Sequence, residues 1–103
     1  MSRERLPNRR FCESFTVECH TLRYTATISR FHDGRLAEIF LSNHKSGSQA
    51  DANARDSAVV ASLALQHGVP LDTIRRALLR DSAGRPSTPL GAALDAIAKG
   101  ARS

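Results

Sequence analysis

Between Leu41 and Leu65 the chain changes its hydrophobic period, and this limits what it can fold into. Before this stretch apolar residues alternate with polar ones. Within it, the polar and glycine-broken run SNHKSGSQA feeds the most apolar segment of the sequence, and after it the spacing is that of short helices. Strand-like residues followed by helix-like residues in one short chain predict an α+β domain, with a small antiparallel sheet of two or three strands followed by three helices. A length of 103 residues supports one core. Residues 1–10, with Arg3, Arg5, Arg9 and Arg10, read as a mobile basic arm, and residues 11–103 as the single domain.

Phe15 and Val17 alternate with Thr16 and Glu18. Leu22, Tyr24, Ala26 and Ile28 alternate with Arg23, Thr25, Thr27 and Ser29. Period two with β-branched and aromatic residues predicts half-buried strands near 13–19 and from about 22. His32-Asp33-Gly34 marks a tight turn, and Ala37, Ile39 and Leu41 return as a third strand. Leu36 and Phe40 are apolar on its other side, which predicts cover on both faces. Cys12 and Cys19, seven residues apart on one strand, point to opposite faces and are not expected to bond to each other.

A helix is expected from about Asp51 to His67, capped by Ser48 or Asp51 and stopped by Gly68, with Pro70 beyond. At 3.6 residues per turn it is apolar on two sides: Ala52, Val59 and Leu63, then Ala54, Ala58, Ala61 and Leu65. Narrow polar strips remain, one of Arg55, Ser62 and Gln66, the other of Asp56 and His67. A helix apolar on two sides needs two covers, its own sheet and either the remaining helices or another subunit. With no Trp and 5% aromatic residues the core is thin, which favours a homo-oligomer. A second helix runs from Leu71 through about Leu79, with Arg76 and Arg80 on its solvent side and Arg75 at the edge of its apolar stripe. Pro89 opens a third, with Leu90, Ala93, Leu94 and Ile97 inward.

The formal charge is +5, and thirteen of the fifteen basic residues are Arg. Arginine's planar fork suits phosphate and carboxylate, so the bias favours anion recognition. The donor-rich loop supplies the candidate ligand-binding residues His44, Lys45, Ser46, Gly47 and Ser48 at a helix start, with Arg55, Arg75 and Arg76 as charge partners. The loop lacks P-loop spacing. No close Cys or His pair offers a metal site, no nucleophile has an evident base and orienting group, and no cofactor is expected, so the reading is of binding and not of an enzyme. No apolar run spans a bilayer and MSRERLPNRR lacks a signal-peptide core, so a cytoplasmic location without membrane contact is expected.

Asp33-Gly34-Arg35, Glu38-Ile39-Phe40-Leu41, Lys45-Ser46-Gly47-Ser48, Ser62-Leu63-Ala64-Leu65 and Gly68-Val69-Pro70-Leu71 resemble the TSCPD domain over roughly residues 22–98. That domain is similar to the C-terminal segment of adenosylcobalamin-dependent ribonucleotide reductases and also occurs alone. The motif behind its name falls on Gly91-Ala92-Ala93-Leu94-Asp95, followed by Ala96-Ile97-Ala98. Asp95 and the three residues after it match, and Ala93 stands where the cysteine would be. Stand-alone domains of this build are also similar to small phage sponge proteins that oligomerise and sequester cyclic-nucleotide signals. The donor-rich loop, the arginine bias and the two-sided apolar helix together lead to a non-catalytic module that binds a nucleotide or other phosphate-bearing ligand. The alternatives are an accessory module that contacts a ribonucleotide reductase, and nucleic-acid binding through the basic arm.

Overall fold

The computed structural model describes residues 2–6, 11–45 and 47–100. Three strands, β1 (Cys12–Cys19), β2 (Leu22–Arg30) and β3 (Leu36–Asn43), form an antiparallel sheet in the order β1-β2-β3. Three helices follow: α1 (Gln49–Gln66), α2 (Leu71–Ala77) and α3 (Pro89–Ala98). The α+β architecture read from the change of period is the one observed.

Each connection has a local cause. β1 and β2 are joined by His20 and Thr21 alone, both at positive φ (51° and 67°), the backbone of a two-residue turn that matches the twist of the flanking strands. The β2–β3 turn is the expected one: Gly34 sits at φ 94° and the Phe31 amide donates to the Arg35 carbonyl at 2.9 Å. Ser48 is the N-cap of α1, its hydroxyl accepting from the Asp51 amide. Gly68, at φ 94°, ends that helix: its amide donates to Leu65 O and the Val69 amide to Ala64 O, the paired bonds of a Schellman stop. Thr88 caps α3 ahead of Pro89.

The inner face of the sheet, with Val17, Cys19, Tyr24, Ala26, Ile28, Ile39 and Leu41, packs on Ala54, Ala58, Ala61 and Leu65 of α1 and Leu90, Ala93, Leu94 and Ile97 of α3. Alanines at 54, 58 and 61 bring α1 so close to β3 that its polar side chains reach the strand's backbone. Ser62 Oγ accepts from Ile39 N and donates to Ile39 O, both at 2.9 Å, and Gln66 Nε2 donates to Ala37 O at 3.1 Å. This corrects the expected polar strip: Ser62 and Gln66 are buried, and the outer edge of β3 is what satisfies them. The other apolar side of α1 is left uncovered by the described residues, with Ala52, Val59, Val60 and Leu63 exposed.

The expectation that β3 is covered on both faces is also corrected. Leu36 is buried where the strand begins, but Phe40 is 48% exposed among the hydroxyls of Ser14, Thr16, Thr25, Thr27 and Ser42 on the outer face of the sheet. Cys12 and Cys19 are free thiols, one exposed and one buried, on opposite faces as their spacing predicts. Burial pushes the Cys19 thiol up, which suppresses the reactive thiolate. Of the basic arm, Glu4 N donates to Gln66 O at 2.7 Å, Arg3 bonds the Gln66 side chain and Glu4 pairs with Arg35; Arg9 and Arg10 lie outside the described residues. Among the described residues no helix is long and apolar enough to cross a membrane.

Replacing Ser62 by Ala leaves both backbone groups of Ile39 buried without a partner, and is expected to cost about 1–3 kcal/mol. Urea denaturation measures the loss, and faster hydrogen exchange at the Ile39 amide locates it.

Candidate functional site

The loop from Asn43 to Ser48 is folded around a carboxylate of its own chain. Asp51, on the first turn of α1, accepts from the Asn43 amide at 2.8 Å, the Gly47 amide at 3.4 Å and Arg55 Nε at 2.9 Å. These bonds, the Asn43 amide first and Arg55 next, hold its carboxyl below the usual carboxylate range. The Lys45 amide donates to Asn43 Oδ1 at 2.9 Å, and the Lys45 carbonyl accepts from Ser48 Oγ at 2.9 Å. His44 Nε2 lies 3.3 Å from Thr25 Oγ1 on the outer face of the sheet. Thus Gly47 and Arg55 bond Asp51 directly, Ser48 caps the same turn and bonds the Lys45 carbonyl, His44 turns to the outer face of the sheet, and Ser46 lies outside the described residues. What the composition of the loop did not disclose is its occupant. The signal was present in the capping-box spacing Ser48–Asp51 and the i,i+4 pair Asp51–Arg55.

Arg75 belongs to a different cluster. Its Nε donates to Asp95 Oδ1 at 2.8 Å and its Nη1 to Asp72 at 3.1 Å. Arg80, expected on a solvated face with Arg76, instead clamps Asp95 with both terminal nitrogens at 2.7 and 2.8 Å, and also donates to Gly84 O. The two guanidiniums, Arg80 above all, hold the Asp95 carboxyl far below the ordinary carboxylate range against the opposing effect of burial. Asp95 with its two arginines thereby ties together α2, the turn 81–86 and α3. No local pattern marks the Arg80–Asp95 pair, whose members are fifteen residues apart. Arg76 is exposed on the last turn of α2.

A cleft of about 340 Å³ lies at the far end of α1, between the β2–β3 turn and the start of α2, lined by Arg30, Arg35, Leu36, Leu65, Val69 and Leu71. Among the described residues no three His, Cys, Asp or Glu side chains stand together as a metal site would require.

The TSCPD domain model matches residues 5–100, nearly the whole chain. This protein belongs to the TSCPD domain family. Over 72 residues, 68% of the chain, it is 44% identical to the vitamin B12-dependent ribonucleotide reductase of Agrobacterium fabrum and 40% identical to that of Bradyrhizobium diazoefficiens. It spans 6% of the length of either reductase. No solved structure matches it. Within this TSCPD domain Asp95 is the anchor of the arginine clamp, and Ala93, two residues before it, is fully buried in the core.

The Asp95→Asn variant leaves two partly buried guanidiniums without their carboxylate and is expected to lose about 2–4 kcal/mol at neutral pH. Folding lowers the proton affinity of both Asp51 and Asp95, so the unfolded chain takes up more protons in acid. Their contribution is therefore fully present above about pH 4 and is lost as the pH falls below it. Melting curves across that range are expected to show a shallower acid limb for Asp95→Asn than for the parent.

Proposed function

We propose that this TSCPD domain is a non-catalytic accessory module that acts by protein contact on a ribonucleotide reductase. The observation that carries the reading is the uncovered apolar side of α1, where Val59, Val60 and Leu63 are 50%, 67% and 41% exposed on consecutive turns. A helix built to be apolar on two sides and covered on one offers an anchor for a partner's apolar groove. The reductase is the partner of choice because the similar segment in the two relatives is part of such an enzyme. Support for a non-catalytic role comes from the polar side chains at the two charged clusters. Asp51, Arg55, Arg75, Arg80 and Asp95 are spent on one another and on backbone groups.

A second reading rests on Lys45. Its side chain is exposed and makes no ion pair among the described residues, and it stands just ahead of the positive end of α1. A phosphate-bearing ligand there, a mononucleotide or a cyclic nucleotide, would meet Lys45 and Ser48, with Arg55 beside it. In this reading the built-in carboxylate of Asp51 orders the loop and leaves Lys45 as the outward charge. The arginines of α2, Arg75 and Arg76, would then join only from a neighbouring subunit.

Immobilised domain is expected to retain the B12-dependent reductase of its own source, and Val59→Glu with Leu63→Glu, both at exposed positions, is expected to weaken that retention at least about tenfold with little change in melting temperature. Equal retention by the double variant removes the docking reading. Calorimetry with mononucleotides, dinucleotides and cyclic nucleotides tests the second: binding that disappears in Lys45→Ala supports it, and heat that is absent or indifferent to Lys45 rejects it.

A further inference from the structure

The two edges of the sheet are treated differently. On β3 the outward backbone groups are taken by α1: Ser62 holds both groups of Ile39, Gln66 the carbonyl of Ala37 and Asp51 the amide of Asn43. On β1 nothing equivalent occurs among the described residues. Cys19 and Leu22 close the two-residue turn as a hydrogen-bonded pair, so the odd residues of β1 bond to β2 and the even ones face away. The Arg23 carbonyl, opposite Glu18, confirms the alternation, because it is turned toward β3 and accepts from His44 N and Asn43 Nδ2. The N–H and C=O groups of Ser14, Thr16 and Glu18 therefore point outward, and they have no partner among the described residues. Open strand edges are ordinarily protected by proline, lysine, a bulge or shortness. β1 has eight residues and none of these devices; charge, the remaining one, is limited to Glu13 and Glu18 near its two ends.

We infer that β1 pairs antiparallel with β1 of a second copy of this chain, joining two sheets into one of six strands. The strand is complementary to itself when Phe15 lies on the two-fold axis. Ser14 then faces Thr16 of the second copy and Cys12 faces Glu18, each pair exchanging N–H···O bonds between outward groups. Glu13 falls opposite Val17, so no two like charges meet. Phe11, 95% exposed and the barest apolar side chain described, falls opposite Cys19 of the second copy on the inner face of the joined sheet. Half-buried Phe15 meets its own symmetry mate. Sliding the register by two residues either way breaks these matches, placing Phe11 against the turn residue Thr21 in one direction and leaving Glu18 beyond the strand in the other. This surface is separate from the apolar side of α1, so it stands or falls independently of reductase docking.

Light scattering of the full chain is expected to give twice the protomer mass, with a concentration-dependent fall to the protomer mass in Thr16→Pro. Proline removes only an outward N–H there and leaves the β1–β2 ladder its bonds, whereas Thr16→Val keeps the N–H and is expected to keep the dimer. A second measurement does not depend on the proline variant folding. With Cys12→Ser in place, Phe15→Cys sets two thiols across the axis in a non-hydrogen-bonded pair, with Cβ atoms about 4.5–5.5 Å apart, and is expected to oxidise to a disulfide dimer; Glu13→Cys, which faces Val17, is not. A parent that stays at protomer mass overturns the inference. So does a dimer in which Phe15→Cys fails to cross-link, or one that Glu13→Cys cross-links equally well.

Discussion

The closeness of α1 to β3 governs this fold. A helix with alanine at 54, 58 and 61 has almost no side-chain thickness toward the strand, and the approach is close enough for Ser62 and Gln66 to bond its peptide groups directly. Larger residues at those three positions would push the helix out of reach and leave the edge of β3 bare. The polar groups are not additions to an apolar contact. They complete the hydrogen bonding of a strand that has a neighbouring strand on one side only, and in doing so they fix the register of helix against sheet, because a rotation of α1 by one residue would present Ala61 or Leu63 to Ile39 in place of Ser62.

The same economy shows at the charged positions. The abundance of arginine suggests a protein waiting for an outside anion, yet two places where donors converge are filled from within. Asp51 supplies the carboxylate around which the loop before α1 is ordered, and Asp95 the one that Arg75 and Arg80 enclose. Folding here uses anion recognition as an internal fastener. It leaves Lys45 and Arg76 among the outward charges, beside the apolar free side of α1 and the open edge of β1, as what the TSCPD domain can offer a partner.

Much of the local structure was legible in the chain because the signals are local. Alternation gave the strands, His32-Asp33-Gly34 the turn, Ser48 and Gly68 the ends of α1, and Pro89 the start of α3. The β1–β2 turn was not foreseen, since His20 and Thr21 take positive φ without the glycine or asparagine that usually marks such a turn. Ser62 and Gln66 read as a solvent strip because periodicity sees polarity and not the partner, which lies more than twenty residues away on β3. For the same reason Arg80 looked solvated: its carboxylate is on another helix. The loop's donors are visible in its composition, but composition cannot say whether a set of donors is vacant or already spoken for.

One edge of the sheet is sealed and the other is not, and this bears on how such a chain avoids the fate of exposed strands. A sheet open on both sides can add copies without limit and grow into a fibril. Here the helix that seals β3 makes every molecule a chain terminator: addition at β1 consumes the open edge of both copies and presents two sealed ones to the solvent. The side chains of Ser62, Gln66 and Asp51 thus bear on association from a distance: with one edge sealed, pairing through the other would stop at two copies.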